Sequence, residues 1–417
     1  MNDQIFIIVG ASLAGAKAAE ELRERGFDGR LLVIGAEDER PYERPPLTKD
    51  YLRGESEREK AYVHPNGFYA KQEIELITRS TVTAIDSRGS RVTLNDGREL
   101  GYDRLLLTTG AEPRRISIQG EEPDGVYYLR TIADCDALRA RLDAGGHVVV
   151  VGAGWIGSEF AASARQRGLE VTVIDPLPLP NERIFGSEIG SFYRDVHAQH
   201  GVELLLGEGV ESFEGNGSVG QVRTAGGRVI DCDFAVVGIG VAPRVELARD
   251  AGLEVENGIV VDEKLQSSAP NIFAAGDVAN AWHPFYGERI RVEHWSNALN
   301  QGPAAARAML DEPVSYDPIP YFFSDQYDVG MEYSGHAPAW DEVVFRGDRG
   351  GGAFIAFWLK NGCVLAGMNV NVWDVNEYVQ ALIRSRQPID VAALTDPDTP
   401  LESLAGELTK EAEGEST

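Results

Sequence analysis

His147-Val148-Val149-Val150-Val151-Gly152-Ala153-Gly154-Trp155-Ile156-Gly157 is the stretch on which the fold turns. A β-branched run enters glycines spaced G-x-G-x-x-G, and a helix-forming stretch continues to about Arg167, where Gly168 can stop it. Val171-Thr172-Val173-Ile174 then reads as a second buried strand closing on Asp175. Strand, glycine turn, helix and strand make a βαβ unit. In such a turn the first glycine permits the bend, the second lets the backbone approach a pyrophosphate, and the third lets helix and strand pack closely. The helix N-terminus supplies free N–H groups and a positive dipole end for phosphate. Asp175, 18 residues beyond Gly157, is placed to accept from an adenosine ribose.

The unit occurs a second time, upstream. Ile5-Phe6-Ile7-Ile8-Val9 leads into Gly10, Ser12, Ala14 and Gly15, a helix follows to Arg25, and Gly26 stops it. Leu31-Leu32-Val33-Ile34 is the next strand, with Glu37 read as its closing acid, 22 residues beyond Gly15. Ser12 stands where the middle glycine belongs, a small residue that weakens this copy taken alone. One such motif is weak, since glycines mark ordinary turns; two with matching strands, helices and acids predict two dinucleotide sites. The acid ending the second copy, with no arginine beside it, favours NADH over NADPH, and Arg183 nearby leaves NADPH use open.

Bulk properties narrow the class. The chain has 417 residues, 43% hydrophobic and 25% charged, an ordinary globular composition long enough for two to four domains. Its 39 Lys+Arg against 66 Asp+Glu leave −27, which argues against nucleic acid and anionic membranes as partners. Met1-Asn2-Asp3-Gln4 enters an apolar strand directly, and no apolar run approaches the ~18 residues of a span, so neither signal peptide nor membrane insertion is expected. Cys135, Cys232 and Cys363 lie far apart with no metal-ligand spacing, so no metal is expected and a reducing cytoplasm is the natural compartment. From about Pro313, Tyr321-Phe322-Phe323, Ala353 to Trp358 and Cys363 to Ala366 read as short antiparallel strands, followed by a helix carrying Val375, Tyr378, Val379, Leu382 and Ile383. Residues 390–417 hold eight acids and one lysine and read as a solvated tail, in which Leu401, Leu404 and Leu408 allow one short docked helix.

Several longer strings carry a resemblance. They are Pro41-Tyr42-Glu43-Arg44-Pro45-Pro46-Leu47-Thr48-Lys49, the run from Tyr102 through Gly110 to Arg114, Asn271 to Asp277, Arg291 to Ala298, and Phe323-Ser324-Asp325-Gln326. With the glycine turns, they make the chain resemble FAD-dependent NAD(P)H:ferredoxin reductases, the putidaredoxin and rubredoxin reductase group related to apoptosis-inducing factor. The resemblance spans about residues 4–385. It implies an α/β fold of two Rossmann-like dinucleotide-binding domains, glutathione-reductase-like, plus a small α+β C-terminal domain. The expected divisions are 1–112 with 241–312 for FAD, 113–240 for NADH, 313–389 for the C-terminal domain and 390–417 for the acidic tail.

The resemblance also implies roles. FAD would lie over Gly10, Ser12, Ala14 and Gly15, with Glu37 on the ribose, Arg44 on the pyrophosphate and the Val82 backbone at the adenine. Arg130 matches another flavin-contacting position, Asp277 would bind the ribityl chain, and Trp295 would lie by the isoalloxazine. Asp277 follows Gly276 at what reads as a strand end before a helix, so a helix cap is its plain alternative. NADH would lie over Gly152, Gly154, Trp155, Ile156, Gly157 and Asp175, with Arg183 near and Gly240 by the nicotinamide. Lys49 and Glu159 match a charged pair at the flavin N5 and nicotinamide positions; a surface lysine and a helix-terminal acid are the plain alternatives.

The expected activity is NADH:ferredoxin oxidoreduction: hydride to FAD, then single electrons to a [2Fe–2S] or [3Fe–4S] ferredoxin serving a cytochrome P450 or ring-hydroxylating oxygenase. The segment between Ile34 and Cys135 holds no cysteine, which disfavours the dithiol and sulfenic-acid branches of the wider fold. Two alternatives stay open, an NADH-responsive redox-sensing interaction flavoprotein and an NADH:quinone or dye reductase. Tyr321-Phe322-Phe323 departs from the two tryptophans common before Ser-Asp-Gln, which touches the choice of ferredoxin. An acidic ferredoxin would need a local basic patch, with Arg289, Arg291, Arg346, Arg349, Arg384 and Arg386 as candidates.

Overall fold

Both glycine-turn repeats fold as parallel βαβ units in the computed structural model, which describes residues 3–118 and 122–406. They belong to separate compact units, one formed by residues up to 114 with 241–318, the other by 115–240 with 319 onward.

In the first unit Ile5–Val9 is the middle strand of a five-stranded parallel sheet. The order is Ile272–Ala274, Arg104–Leu107, Ile5–Val9, Arg30–Ile34, Ile74–Ile77. Phe6, Ile7 and Ile8 are buried on both faces, which is why the strand reads as a continuous apolar run rather than an alternating one. Helix Leu13–Glu24 packs against helix Trp295–Met309 so closely that a Cβ at Gly302 would stand 2.4 Å from the Ala14 carbonyl oxygen.

The second unit repeats this plan. Its parallel sheet runs Glu203–Leu206, Glu170–Asp175, His147–Val151, Phe234–Val237, Val126–Tyr127, with helix Trp155–Gln166 following the glycine turn. The repeats agree bond for bond: Gly10 N–H donates to Ile34 O and Gly152 N–H to Ile174 O, both at 2.8 Å. Each unit also carries a three-stranded antiparallel sheet, beginning at Val82–Asp86 in one and Val210–Gly215 in the other.

One local expectation fails in the first unit. The residues after Asp277 form strand Ala279–His283, so no helix follows there for it to cap. Ala279, Ala281 and His283 are buried while Trp282 is exposed, and the segment pairs with Gly258–Val261 and Glu288–Ile290. Sheet pairing overrides the helical propensity of alanine here.

The C-terminal segment is a five-stranded antiparallel sheet, ordered Tyr321–Gln326, Val329–Gly335, Cys363–Val370, Ala353–Lys360, Glu342–Asp348. Helix Asn376–Ser385 buries Val379, Leu382 and Ile383. Two strands, Val329–Gly335 and Glu342–Asp348, were not expected from the sequence. The sheet shares a core with helix Glu182–Gln199, through Phe185, Ile189, Tyr193, Phe322, Tyr333 and Trp358.

The solvated tail is corrected over its first part. Helix Val391–Thr395 buries Leu394, and Leu401 and Ala405 are also buried. The Arg346 guanidinium donates to the carbonyls of Leu394, Asp396, Pro397 and Thr399. Leu408 and the remaining tail acids from Glu407 lie outside the described residues. Arg346→Ala is expected to release residues 391–405 at a cost of about 2–4 kcal/mol, since hydrogen bonds from a charged donor contribute ~1.5–3 kcal/mol each and do not add fully. Hydrogen exchange over those residues should speed up by two orders of magnitude or more. Arg346→Lys should not restore protection, because an ammonium lacks the fork that spans several carbonyls.

Candidate functional site

The first cradle starts at Gly10, whose φ of +122° suits glycine. A Cβ there would fall 2.1 Å from the Thr108 carbonyl oxygen, while the Thr108 hydroxyl donates to the Gly10 carbonyl at 2.8 Å. Ser12 is the N-cap of helix Leu13–Glu24 with extended backbone, and its hydroxyl does not cap the helix. Ala14 is buried beneath the turn and faces Gly276, whose built Cβ would lie 3.3 Å from that of Ala14. A Cβ on Gly15 would meet the Gly10 carbonyl at 2.2 Å, so helix and strand touch there.

Around this turn the unit gathers charge. Glu37 lies three residues beyond strand Arg30–Ile34 rather than closing it. Its Oε2 accepts from the Tyr42 hydroxyl at 2.5 Å, and its Oε1 is 3.5 Å from Arg44 Nη2. Burial works against the Arg44 charge, but Tyr42, Glu37 and Asp277 outweigh it and raise the Arg44 pKa. Asp277 thus belongs to the same cluster, with His294, which burial pushes down to about 4 against the opposing pull of Asp277. Trp295 opens helix Trp295–Met309, and its indole N–H donates to Glu43 at 3.2 Å. Val82 is buried at the start of its strand, paired with Leu94. Lys49 is 9% exposed, at the junction of the turn Pro45–Thr48 and helix Asp50–Arg53, with Nζ 3.4 Å from the Thr48 hydroxyl. Arg130 is in the other unit, where its backbone N–H donates to Asp134.

In the second cradle Gly152 has φ +106°, and a Cβ would stand 2.4 Å from the Gly238 carbonyl. A Cβ on Gly157 would lie 2.0 Å from the Gly152 carbonyl. Gly154 differs: a Cβ there meets nothing within 4 Å, so the turn is open above it. Asp175 ties the cradle together, accepting from Ala153 N–H at 2.6 Å and Leu177 N–H at 2.8 Å. The Trp155 ring packs on Phe185, Tyr193 and Phe322, and Ile156 is half-buried near Gly238. Arg183 is exposed in the first turn of helix Glu182–Gln199, and Gly240 is exposed with φ +94°. Glu159, 7% exposed, accepts from the Ser324 hydroxyl at 2.7 Å.

Three contributors had no role assigned from the sequence: Tyr42, Thr108 and Ser324. Tyr42 and Ser324 stand inside strings already singled out, but only the folded chain shows what they touch. Arginines considered for a basic patch have partners within the fold. Arg289 donates to the Val261 carbonyl, Arg291 bonds Asn257, the Asp277 carbonyl and Glu293, and Arg346 holds the tail. Among the cysteines, Cys135 and Cys232 are buried, and burial with Asp233 and Asp231 pushes the Cys232 thiol up to about 11, so its thiolate is disfavoured at neutral pH.

Comparison with known proteins agrees along the chain. A family model described as pyridine nucleotide-disulphide oxidoreductase matches residues 5–302, and one described as reductase C-terminal matches residues 321–405. The chain is 38% identical over 403 residues to the 5,5'-dehydrodivanillate O-demethylase ferredoxin reductase subunit of Sphingobium sp., covering 95% of this chain and 97% of that one. It is 38% identical over 408 residues to the anthranilate 1,2-dioxygenase system ferredoxin–NAD(+) reductase component of Burkholderia cepacia, covering 97% and 100%. Among solved structures, the covalent putidaredoxin reductase–putidaredoxin complex matches with a TM-score of 0.94 at 34% identity, covering 98% of this chain and 100% of that one.

Proposed function

The chain belongs to the pyridine nucleotide-disulphide oxidoreductase family, among its ferredoxin reductases, and from that premise we propose which of its residues hold the cofactors that pass electrons from NADH to an iron–sulfur ferredoxin. It is an FAD-dependent oxidoreductase that uses NAD(H), and its electrons go to a ferredoxin of a cytochrome P450 or ring-hydroxylating oxygenase system. The observation that carries the residue assignment is the pair of like-built glycine cradles.

The first cradle fits FAD. Gly10 and Gly15 bring the backbone close, Ser12 leaves the helix N-terminus to a phosphate, and Arg44 and Glu37 offer a cation for the pyrophosphate beside a carboxylate for ribose hydroxyls. Val82, Asp277 and Trp295 are assigned to adenine, ribityl chain and flavin ring, and Arg130 to the flavin as well. The second cradle fits NADH: Gly154 leaves room for the pyrophosphate, and Asp175 braces the turn while retaining acceptor capacity for a ribose. Trp155, Ile156, Gly157, Arg183 and Gly240 complete that set.

Bound FAD supplies the conversion of a two-electron donor into one-electron deliveries. The protein's part is placement and charge. Lys49, buried at the flavin site, favours negative charge on the reduced ring, and Glu159, buried behind the second cradle, orients the nicotinamide end. No helix among the described residues is long and apolar enough to cross a membrane. We place the protein in the cytoplasm, where its three cysteines stay reduced.

The test is stopped-flow spectroscopy of the yellow protein with NADH or NADPH, followed by [2Fe–2S] and [3Fe–4S] ferredoxins. NADH should bleach the flavin at least ten times faster than NADPH, and one of the ferredoxins should reoxidise it within turnover time. Rapid reduction of quinone with no ferredoxin reduced would overturn the assignment.

A further inference from the structure

Strand Tyr321–Gln326 turns alternate residues to one side, so Phe322, Ser324 and Gln326 share a face. That face meets helix Trp155–Gln166, which carries Glu159, and helix Glu182–Gln199, which carries His197. The polar side chains join in one line. Gln326 Nε2 is 3.3 Å from the Ser324 hydroxyl, Gln326 Oε1 is 2.9 Å from His197 Nε2, and His197 Nδ1 is 3.2 Å from the Tyr327 hydroxyl. Ser324, Gln326 and His197 are each 1% exposed, so water does not compete for these groups.

Hydrogen bookkeeping gives the line a direction. The Ser324 hydroxyl donates to Glu159 Oε1 at 2.7 Å, and a hydroxyl has one proton to give. The Ser324 oxygen is then an acceptor for the Gln326 amide N–H, which turns the Gln326 carbonyl toward His197. The ring must donate from Nε2, and a neutral imidazole then accepts at Nδ1 from the Tyr327 O–H. Burial pushes His197 down to about 4, so the ring is neutral at working pH, and burial likewise keeps the Tyr327 phenol protonated. Turned the other way, the Gln326 amide oxygen would take the Ser324 proton away from Glu159. Successive donors polarise one another, so the bond at Glu159 is stronger than an isolated hydroxyl would make.

We infer that Ser324, Gln326, His197 and Tyr327 form a one-directional hydrogen-bond chain that positions Glu159 for NADH oxidation. This rests on the reading of Glu159 given above. None of the four is assigned contact with substrate or cofactor; they are positioning residues. The outer end is anchored at the protein surface, where the Tyr327 ring stacks on His200 at 3.7 Å and His200 Nδ1 bonds the Val196 carbonyl. The chain also accounts for the spacing in Ser324-Asp325-Gln326: serine and glutamine two residues apart face inward together, and Asp325 faces away.

The test uses the full-length holoenzyme and measures flavin reduction against NADH concentration. Ser324→Ala should lower the limiting reduction rate about tenfold while the NADH dissociation constant stays within twofold, and Ser324→Thr, which restores a hydroxyl, should recover most of the rate. Tyr327→Phe, which removes only the outermost donor, should lower the rate two- to threefold. Reoxidation of dithionite-reduced protein by ferricyanide should be the same in all of them. Glu159→Gln is the reference arm. If Glu159→Gln slows reduction and Ser324→Ala does not, or if Ser324→Thr fails to recover the rate while melting normally, the chain is overturned. If Glu159→Gln itself leaves the rate unchanged, the assignment of Glu159 fails and this inference falls with it.

Discussion

Gly10→Ala is expected to yield a protein that no longer retains flavin. The residue sits at φ +122°, where an L side chain is strained, and the added Cβ would lie 2.1 Å from the Thr108 carbonyl oxygen and 2.5 Å from its carbon. Relief by a small shift is blocked, because Gly10 N–H is bonded to Ile34 O at 2.8 Å and the Gly10 carbonyl holds the Thr108 hydroxyl. The turn must open, and with it the helix N-terminus assigned to the phosphates. The ratio of flavin to protein absorbance should fall at least tenfold. Gly154→Ala supplies the contrast. Its φ is −77° and its Cβ meets nothing within 4 Å, so the protein should keep its flavin and its melting temperature. It should nonetheless bind NADH at least tenfold more weakly, because the methyl occupies the open space assigned to pyrophosphate. Loss of flavin in Gly154→Ala, or its full retention in Gly10→Ala, would contradict the division of labour between the cradles.

Lys49→Met should slow flavin reduction by NADH about a hundredfold, the scale on which one preorganised electrostatic contact to developing charge acts. Methionine keeps most of the length and apolar stem, so packing around a residue that is 9% exposed is preserved and the charge alone is removed. The backbone at Lys49, φ −124° and ψ −124°, lies between two short helical turns that fix where the side chain starts. Rapid mixing with NADH, followed at the flavin band, gives the limiting rate. A rate within threefold of the unaltered protein would remove Lys49 from the reaction.

Local pattern made much of the fold legible. The apolar runs at Ile5–Val9 and His147–Val151 and the glycines after them have steric meanings that hold within a dozen residues, and the helices end within a residue or two of Gly26 and Gly168 as expected. Strand Val329–Gly335 was missed although its signal is present: Val329, Met331 and Tyr333 are buried and Gly330 and Glu332 are not, a clean alternation of period two. Glu342–Asp348 carries no such signal, and pairing with Ala353–Lys360 makes it a strand. The reading of the tail went wrong for a similar reason, since its composition is polar but the Arg346 guanidinium supplies donors for its carbonyls.

The glycine spacings after the two apolar runs were enough to predict two strand–turn–helix units, because those constraints are steric and local. What surrounds Glu159 could not be read that way. Its partner Ser324 is 165 residues distant in the chain, and His197, further along the line, comes from a different helix again. A serine is a common residue whose hydroxyl has meaning only when burial removes water and folding brings an acceptor within reach. Spacing along the chain encodes how a backbone bends, whereas the company a buried polar group keeps is settled when distant elements pack and every donor must find its acceptor.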